Sequence, residues 1–303
     1  MKILVLGGSG FIGAHIVDGL LADGHQLRVF DRAPLIYKSG VENIQADLGD
    51  VMALSEALIG VDVVVHLIST SVPSTSNKDP ISDVNGNLIN TLKLLDVMHQ
   101  SDVNKIIYFS SGGTVYGHPQ QVPMTELHPT NPICSYGIVK LAIEKYLNMY
   151  SELYGFTSTI LRPSNPYGPG QKHMGVQGFI GTCISSVLND TKLSIWGDGS
   201  VIRDYIFISD VVNATSMAVK KLQSGTFNIS SGEGFSLNEI ISYVEKYTQK
   251  TIQTEFKNKR NFDIPTIILD NQLAGKTFKW KPEVDIESGI GATVEAFLKA
   301  RQV

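Results

Sequence analysis

The sequence predicts an α/β fold built on a doubly wound parallel sheet, and two observations carry that prediction. Short apolar runs alternate along the chain with stretches of helical periodicity, the pattern of strands joined by crossover helices. The chain also opens with several glycines between an apolar run and an apolar helix pattern, in MKILVLGGSGFIGAHI. The runs that we expect to form strands are residues 3–6, 26–30, 62–68, 105–111 and 157–163.

The first of these runs, residues 3–6, consists of four consecutive aliphatic side chains, which suits a strand buried on both faces. Ligands of doubly wound sheets bind at the carboxyl ends of the strands. The residues that close the runs are therefore the first candidates for a functional site: Gly7, Asp31, His66, Ser110 and Arg162.

Composition limits the classes of protein that the chain can represent. With 303 residues, of which 43% are hydrophobic, it can bury one large core or one core with a smaller satellite. No apolar run approaches the ~20 residues of a membrane span, and no secretory signal precedes the first strand, so we expect a cytoplasmic protein. The net charge of -4 predicts no nucleic-acid partner. Two cysteines, Cys134 and Cys183, predict neither a disulfide framework nor a metal site.

A change in composition near Asn165 predicts a domain boundary. Proline and glycine crowd the segment LRPSNPYGPG, and less regular sequence follows. We expect residues 1–165 to form the sheet domain and residues 166–303 to form mainly a smaller α/β domain that binds substrate. Part of residues 201–225, which has the pattern of a strand and a helix, is expected to return to the first domain.

The glycine turn indicates a Rossmann-type dinucleotide site. Gly7, Gly10 and Gly13 let the backbone approach a pyrophosphate at the amino terminus of the following helix. Asp31 closes the second strand 18 residues after Gly13, where a carboxylate can accept hydrogen bonds from a ribose diol. That favours NAD over NADP, although Arg32 could accommodate a 2'-phosphate. The alternative is an ordinary strand-turn-helix with a surface Asp.

Tyr136 and Lys140 are the candidates for chemistry. A spacing of four places both on one face of a helix in SYGIVKLAIEKYL. A phenol with a reference pKa of ~10 needs a nearby cation to act as a base at neutral pH, and Lys140 can be that cation. Beside an oxidised nicotinamide, the pair can take a hydroxyl proton while hydride leaves the same carbon.

With these motifs in order, the chain resembles the extended short-chain dehydrogenases/reductases, of the NAD-dependent nucleotide-sugar epimerase/dehydratase type. The resemblance covers nearly the whole chain. Its segments are GGSGFIG, FD at Asp31, ADL at Asp47, VVVHLI, FSSGGTVYG, SYGIVK, LRPSNPYGPG, RDYIFISD and KWKP.

The resemblance implies contacts to NAD along the carboxyl edge of the sheet. Phe11 and Ile12 would follow the pyrophosphate, Asp47 and Leu48 the adenine, and Asn87 would match the cofactor-contacting Asn of the family. The full set of expected cofactor residues is Gly7, Gly10, Phe11, Ile12, Gly13, Asp31, Arg32, Asp47, Leu48, Leu67, Ile68, Ser69, Asn87, Ser110, Tyr136, Lys140 and Pro163.

One departure from the family concerns the third catalytic side chain. The hydroxyl that usually bonds the sugar oxygen stands three residues before the VYG triplet, and here that position is Gly112. Thr114 and Ser111 are the nearest hydroxyls that can take over, and Thr114 is preferred because it lies beyond the strand end. Val139, where the family usually has Ser or Thr, is a smaller departure.

The resemblance also implies how substrate is held. Asn165 would contact a substrate phosphate, and Arg203 and Arg260 would clamp the diphosphate of a nucleotide sugar, for which guanidinium groups are well suited. Ile267 would lie near the position that limits the size of the sugar substituent.

These residues favour an NAD-dependent 4-epimerase of a UDP-hexose, an isomerase that retains NAD and forms a transient 4-keto sugar. The acid and base that a dehydratase needs are missing at residues 112–114. Alternatives are an NAD(P)H-dependent reductase of a nucleotide 4-keto sugar and a non-catalytic dinucleotide-binding protein. A homodimer is expected, because the helix of Asn87 to His99 and the Tyr136 helix are apolar on more than one side.

Overall fold

The computed structural model describes residues 1–33, 38–171, 178–259 and 264–301. The strands are β1 (Lys2–Leu6), β2 (Gln26–Asp31), β3 (Val41–Gln45), β4 (Val63–His66), β5 (Lys105–Phe109), β6 (Thr157–Pro163), β7 (Asn165–Tyr167), β8 (Leu193–Trp196), β9 (Ile202–Arg203), β10 (Tyr205–Phe207), β11 (Gly225–Ile229), β12 (Phe235–Ser236), β13 (Thr254–Lys257) and β14 (Thr266–Ile267).

The helices are α1 (Phe11–Ala22), α2 (Val51–Leu58), α3 (Pro80–Asp83), α4 (Asn90–Gln100), α5 (Ser135–Tyr154), α6 (Phe179–Leu188), α7 (Ile208–Lys221), α8 (Leu237–Thr248), α9 (Gln272–Phe278) and α10 (Ile286–Ala300). A 3₁₀ turn (Ser76–Lys78) precedes α3, and a π-helical turn (Val84–Ile89) joins α3 to α4. Within the described ranges, no helix is long and apolar enough to cross a membrane.

A seven-stranded parallel sheet organises the fold, with the strand order β11-β6-β5-β4-β1-β2-β3. The doubly wound α/β prediction is confirmed, and each of the five predicted apolar runs contains a strand of this sheet. Strand β1 pairs with both β2 and β4, so the order of the strands along the chain reverses at β1. Such a reversal opens a crevice at the carboxyl ends of the strands.

Alternation along the strands divides the core between the two faces of the sheet. Ile3 and Val5 pack on the face that α1 and α7 cover, whereas Leu4 and Leu6 pack on the face that α2, α4 and α5 cover. Successive side chains of a strand point to opposite faces, so both sets are fully buried. Burial on both faces explains why these strands are continuous apolar runs.

Strand β3 was not predicted, because its sequence VENIQ has no apolar run. It lies at the edge of the sheet, pairs only with β2 in the described order, and leaves Glu42, Asn43 and Gln45 exposed. An edge strand needs one hydrogen-bonded neighbour and little apolar surface, so composition does not identify it.

The chain returns to the sheet after leaving it at Asn165. Helix α7 packs against α1 so closely that a Cβ on Gly19 would lie 2.3 Å from Val212 Cγ1. Strand β11 then adds to the sheet beside β6, with Asn228 opposite Arg162. The returning strand therefore begins at the last residue of the segment 201–225 that we expected to return, and extends beyond it.

A separate apolar cluster holds the rest of the carboxyl-terminal part. Ile184 of α6, Ile240 and Val244 of α8, and Ile290 of α10 are buried together there. Strand pairs β8–β13 and β10–β7, and the three-stranded order β12-β9-β14, surround this cluster. Of these elements, α6, α8, β7, β8, β9, β10 and β14 contribute residues to the outer wall of the site.

Candidate active site

The glycine turn closes tightly between β1 and α1. Gly7 has φ +89°, and a Cβ on Gly13 would lie 2.1 Å from the carbonyl oxygen of Gly7. Gly10 caps α1 without a side-chain hydrogen bond to the helix. The first-turn amides therefore have no side-chain acceptor within the helix cap, and Phe11, Ile12 and Gly13 line a cavity there. Free amides at a helix amino terminus are suited to an anion such as a pyrophosphate.

Two carboxylates, Asp31 and Asp47, lie farther along the same carboxyl edge of the sheet. Asp31 accepts hydrogen bonds from the backbone amides of Ser9 (3.0 Å) and Ala33 (3.1 Å). Arg32 Nε lies 3.8 Å from an Asp47 carboxylate oxygen, and both side chains are largely exposed. Asp31, Arg32, Asp47, Leu48 and Ile68 line a cavity of about 660 Å³. Asp47 therefore offsets part of the Arg32 charge that a 2'-phosphate would need.

A second cavity of about 720 Å³ adjoins the first through shared wall residues, Gly7, Gly10, Leu67 and Ser69 among them. It extends from the glycine turn to the carboxyl-terminal part of the chain. Predicted site residues that line it also include Phe11, Ile12, Gly13, Ser110, Ser111, Thr114, Tyr136, Lys140, Pro163, Asn165 and Arg203.

Tyr136 and Lys140 lie on one face of α5, as the spacing predicts. Lys140 Nζ donates a hydrogen bond to the carbonyl oxygen of Phe109 (2.8 Å) and lies 5.7 Å from the centroid of the Tyr136 ring. Burial raises the pKa of Tyr136 to about 12, and hydrogen bonds with Ser111 and Ser69 oppose that rise. Burial lowers the pKa of Lys140 to about 8. The lysine is thus mainly cationic at neutral pH, and it lies beside a protonated phenol.

The hydroxyl groups around Tyr136 differ in their surroundings. The Ser111 side chain opposes the rise in the pKa of Tyr136, and it lines the cavity. Thr114 also contributes to the wall, but its Oγ1 is enclosed by protein and has no hydrogen-bond partner among the described residues. A Cβ on Gly112 would lie 2.3 Å from Leu269 Cδ1 and 3.0 Å from the Arg162 carbonyl oxygen. A side chain at position 112 would therefore point into tightly packed protein atoms.

Asn87 lies one layer behind the cavity wall. It is buried in the π-helical turn, and its Oδ1 accepts a hydrogen bond from the Thr70 amide (2.8 Å). Its Nδ2 donates to Asp83 Oδ1 (2.8 Å), and Asp83 also accepts from the hydroxyls of Ser71 and Ser135, each at 2.6 Å. Asp83, which is not among the residues predicted from the sequence, ties α5 to the loop after β4. A carboxylate four residues before Asn87 was the available signal.

A buried ion pair, also missed, lies one helical turn beyond Lys140. Glu144 accepts hydrogen bonds from Arg162 Nε (2.9 Å) and Nη2 (2.5 Å), and from the Ser110 hydroxyl. The two charged side chains are only 3% and 6% exposed. Arg162 also lies over the Tyr116 ring, 4.8 Å from its centroid. This pair joins α5 to the ends of β5 and β6.

The outer half of the second cavity contains the expected substrate residues that the structure describes. Asn165 Nδ2 donates to the Asp204 carbonyl oxygen (2.6 Å), and Arg203 Nη1 donates to the carbonyl oxygens of Ile202 and Ile264, both at 2.8 Å. Ile267 lines the same wall. Arg260 lies outside the described residues. In the part of the chain that the structure describes, no group of three or more His, Cys, Asp or Glu side chains could hold a metal ion.

Comparisons with known proteins agree with this geometry. A UDP-glucose 4-epimerase of Mycolicibacterium smegmatis is 34% identical, over 100% of both chains. The crystal structure of a UDP-glucose 4-epimerase with UDP-glucose from Thermotoga maritima matches with a TM-score of 0.95 and 32% identity, covering 99% of this chain and 100% of that one. A dTDP-4-dehydro-6-deoxyglucose reductase of Escherichia coli is 31% identical over 97% of this chain and 96% of its own.

A family model also matches, over residues 3–230, and its description is the NAD dependent epimerase/dehydratase family. The match spans the glycine turn, Asp31, the Tyr136 helix and the returning strand β11. The chain belongs to the NAD dependent epimerase/dehydratase family.

Proposed function

We propose that this protein is a UDP-hexose 4-epimerase that keeps NAD bound through the catalytic cycle. The observation that carries the proposal is one continuous site, in which Tyr136 and Lys140 lie between the glycine turn and the wall of Asn165 and Arg203. Relatives of the full chain length that carry the name UDP-glucose 4-epimerase support this substrate class. The chain's membership of an NAD dependent family supports the cofactor.

The residues present fit NAD. The turn at Gly7 to Gly13 has no room for a Cβ on Gly13, and the uncapped α1 amides next to it are suited to a pyrophosphate. Asp31 brings a carboxylate to the ribose end, where a diol can donate hydrogen bonds to it. When bound, oxidised NAD accepts hydride from a sugar carbon and returns it, and its positive charge favours an ionised phenol nearby.

Tyr136 is the proposed acid-base group. It takes the proton of the sugar C4 hydroxyl as that carbon is oxidised, and gives it back when the 4-keto sugar is reduced on its other face. The Lys140 ammonium stabilises the phenolate form, because an opposite charge nearby favours the charged state. Ser111 is the proposed third group, since it lines the cavity and its side chain favours the ionised form of Tyr136. Thr114 ranks second, because its Oγ1 is enclosed.

The other half of the cavity supports a sugar nucleotide as substrate. Arg203 and Asn165 can hold phosphate oxygens, and Arg260, which lies beyond the described residues, is the proposed second arginine. Residues 112–114 offer neither the acid nor the base that dehydration at C5 and C6 needs, so epimerisation at C4 is favoured.

The experiment that tests this proposal needs no added cofactor. Purified protein is denatured and the released nucleotide identified, and native protein is incubated separately with UDP-glucose and UDP-N-acetylglucosamine. We expect one NAD released per chain and formation of the galacto epimer. The reductase alternative would replace the proposal if the protein were empty and turned over a nucleotide 4-keto sugar only with NADPH. Resident NAD without turnover of any sugar nucleotide would indicate the non-catalytic alternative.

We also propose that the protein is a homodimer. Helix α5 exposes apolar side chains at Ile138 (55% exposed), Tyr146, Met149 and Leu153 (65%), whose spacings of eight, three and four residues place them along one side of the helix. Helix α3 and the π-helical turn, which contact α5, add the exposed Ile81 and Ile89. A second copy of this surface would cover these side chains by helix packing. Light scattering should give twice the chain mass, and Leu153→Glu should give a monomer; a monomeric parent protein would contradict the proposal.

The expected cytoplasmic location stays a proposal. Both cysteines are free thiols, and Cys183 is buried. This fits a reducing compartment, where structural disulfides are rare.

A further inference from the structure

Asp204 is a buried carboxylate at the junction between the sheet and the outer wall of the site. It stands between β9 and β10 and is 0% exposed. Its carboxylate oxygens accept five hydrogen bonds, from Ser164 Oγ (2.9 Å), Ser231 N (3.0 Å) and Oγ (2.9 Å), Gly232 N (3.2 Å) and Leu269 N (3.2 Å). Each of these donors is neutral.

These donors come from three separate segments of the chain. Ser164 lies between β6 and β7, Ser231 and Gly232 follow β11, and Leu269 follows β14. The Asp204 side chain therefore connects the carboxyl ends of two sheet strands, β6 and β11, to the segment that follows Ile267, a residue of the cavity wall. Parallel strand pairing alone does not fix the relative positions of these three segments.

The backbone of Asp204 connects the same centre to the substrate wall. Its carbonyl oxygen accepts hydrogen bonds from the Asn165 amide (3.2 Å) and from Asn165 Nδ2 (2.6 Å), and its amide donates to the Ile267 carbonyl oxygen (3.0 Å). Arg203 precedes it directly and lines the cavity. The position of the Asp204 residue thus sets where Asn165, Arg203 and Ile267 stand relative to one another.

A buried carboxylate without a cationic partner among these contacts is costly, and a neutral side chain would avoid that cost. Burial raises the pKa of Asp204 to about 6, while the hydrogen bonds from Leu269, Ser231 and Ser164 lower it. An ionised carboxylate can accept all five hydrogen bonds, whereas an amide must present a donor to some of these N–H groups. The geometry therefore requires an acceptor-only group at this position.

We propose that Asp204 is a positioning residue for the diphosphate of the substrate, which it serves by fixing Asn165 and Arg203 against the sheet. This inference rests on the proposed function, because it assumes that these two residues contact a sugar nucleotide. It predicts that Asp204 acts on substrate affinity. Tyr136, Lys140 and the glycine turn receive none of its hydrogen bonds, so we expect proton transfer and NAD retention to persist without it.

The test compares two buried aspartates of the segment RDYIFISD. Asp204→Asn keeps the size of the side chain but places an amide against donors. Asp210→Asn is the matched control: Asp210 is also buried, and accepts hydrogen bonds from the amides of Glu283 and Val284 (both 3.1 Å), away from the cavity. NAD content, the affinity of the holoenzyme for UDP by calorimetry, and kcat and KM with UDP-glucose are measured at pH 8.

For Asp204→Asn we expect KM and the Kd of UDP to rise about tenfold, equivalent to about 1.4 kcal/mol, with kcat and NAD content close to those of the parent protein. Asp210→Asn should leave KM and the UDP affinity unchanged, whatever it does to the melting temperature. Equal KM shifts in the two variants, or a fall in kcat or NAD content specific to Asp204→Asn, would overturn the inference and indicate a structural role.

A gentler variant keeps the inference testable if Asp204→Asn does not fold. Ser231→Ala removes one of the five donors, and Ser231 is not among the residues that line the cavity. A smaller rise in KM with unchanged kcat supports the inference, whereas an unchanged KM contradicts it. Failure of the proposed function is a distinct result, because the parent protein itself would then neither bind UDP nor epimerise UDP-glucose.

Discussion

At the scale of single residues, Gly112 shows how a motif can be misleading when only its letters are compared. Its place in FSSGGTVYG indicates a lost hydroxyl. In the folded protein a side chain at this position meets Leu269 Cδ1 and the Arg162 carbonyl oxygen. Ser111, one residue earlier, lines the cavity, and its side chain opposes the rise in the pKa of Tyr136.

Removal of the Ser111 hydroxyl should therefore impair the chemical step. We expect Ser111→Ala to lower kcat by about 10²-fold, the usual effect of losing a group that assists proton transfer or stabilises developing charge. KM and NAD content should change little. Thr114→Val is the comparison, and it should keep a kcat close to that of the parent protein. The reverse order of the two effects would assign the role to Thr114.

Restoring the usual side chain at position 112 should be harmful. We expect Gly112→Ser to lower the free energy of unfolding by about 1–3 kcal/mol, because the site is already packed, and not to raise kcat. In urea denaturation, the cost of Gly112→Ser should shrink when Leu269→Ala is also present, since contacting residues are not additive. Equal costs in both backgrounds would show that the predicted contact does not exist.

At the scale of elements, α5 presents three functional side chains on one face. Tyr136, Lys140 and Glu144 are spaced by four residues and point to the ends of β5 and β6. The first two face the cavity, and Glu144 holds Ser110 and Arg162 behind it. The row of side chains that carries the proposed chemistry therefore also fixes the rotation of α5 about its own axis.

The buried pair at Glu144 should contribute strongly to stability. Glu144→Gln leaves the Arg162 charge without its partner, and we expect a loss of about 3–5 kcal/mol in the free energy of unfolding. Urea denaturation at pH 7.5 measures it. The exposed pair Lys299–Glu295 offers a control, since Glu295→Gln should leave the unfolding free energy unchanged. Similar results for both pairs would contradict the buried arrangement.

At the scale of the whole molecule, one buried histidine makes the fold sensitive to acid. His66 ends the central strand β4, pairs across to Tyr108 and lies within 3.0 Å of the Thr91 hydroxyl. Burial lowers its pKa to about 3, and the nearby Lys140 charge adds to the effect. The folded chain therefore keeps His66 neutral at pH values where the unfolded chain protonates it.

Stability should fall as the pH drops below the unfolded pKa of ~6.5 and stop falling near the folded pKa, since the proton binds the unfolded state preferentially. Each pH unit in that window should cost about 1.4 kcal/mol through this group. Unfolding free energies at pH 7, 5.5 and 4.5 should thus decline less steeply in His66→Gln. His118→Gln, at an exposed position, is the control and should follow the parent protein. Parallel pH profiles for all three proteins would contradict the prediction.

The sequence by itself determined the parts of this protein that depend on local pattern. Apolar runs identified the five strands that are buried on both faces, because most side chains of a strand in that environment are apolar. The glycine turn, Asp31 and the spacing of Tyr136 and Lys140 predicted which edge of the sheet holds the site. Edge strand β3 escaped detection, because pairing on one side requires little hydrophobicity.

Only the tertiary structure decided the features that depend on which segments meet. The direction of a side chain at Gly112 is set by Leu269, more than 150 residues away in the chain. The Glu144–Arg162 pair and the five donors on Asp204 likewise join segments whose separation in sequence carries no signal. Burial turns these ordinary residues into necessary ones, because a charge removed from water must find its hydrogen bonds inside the protein.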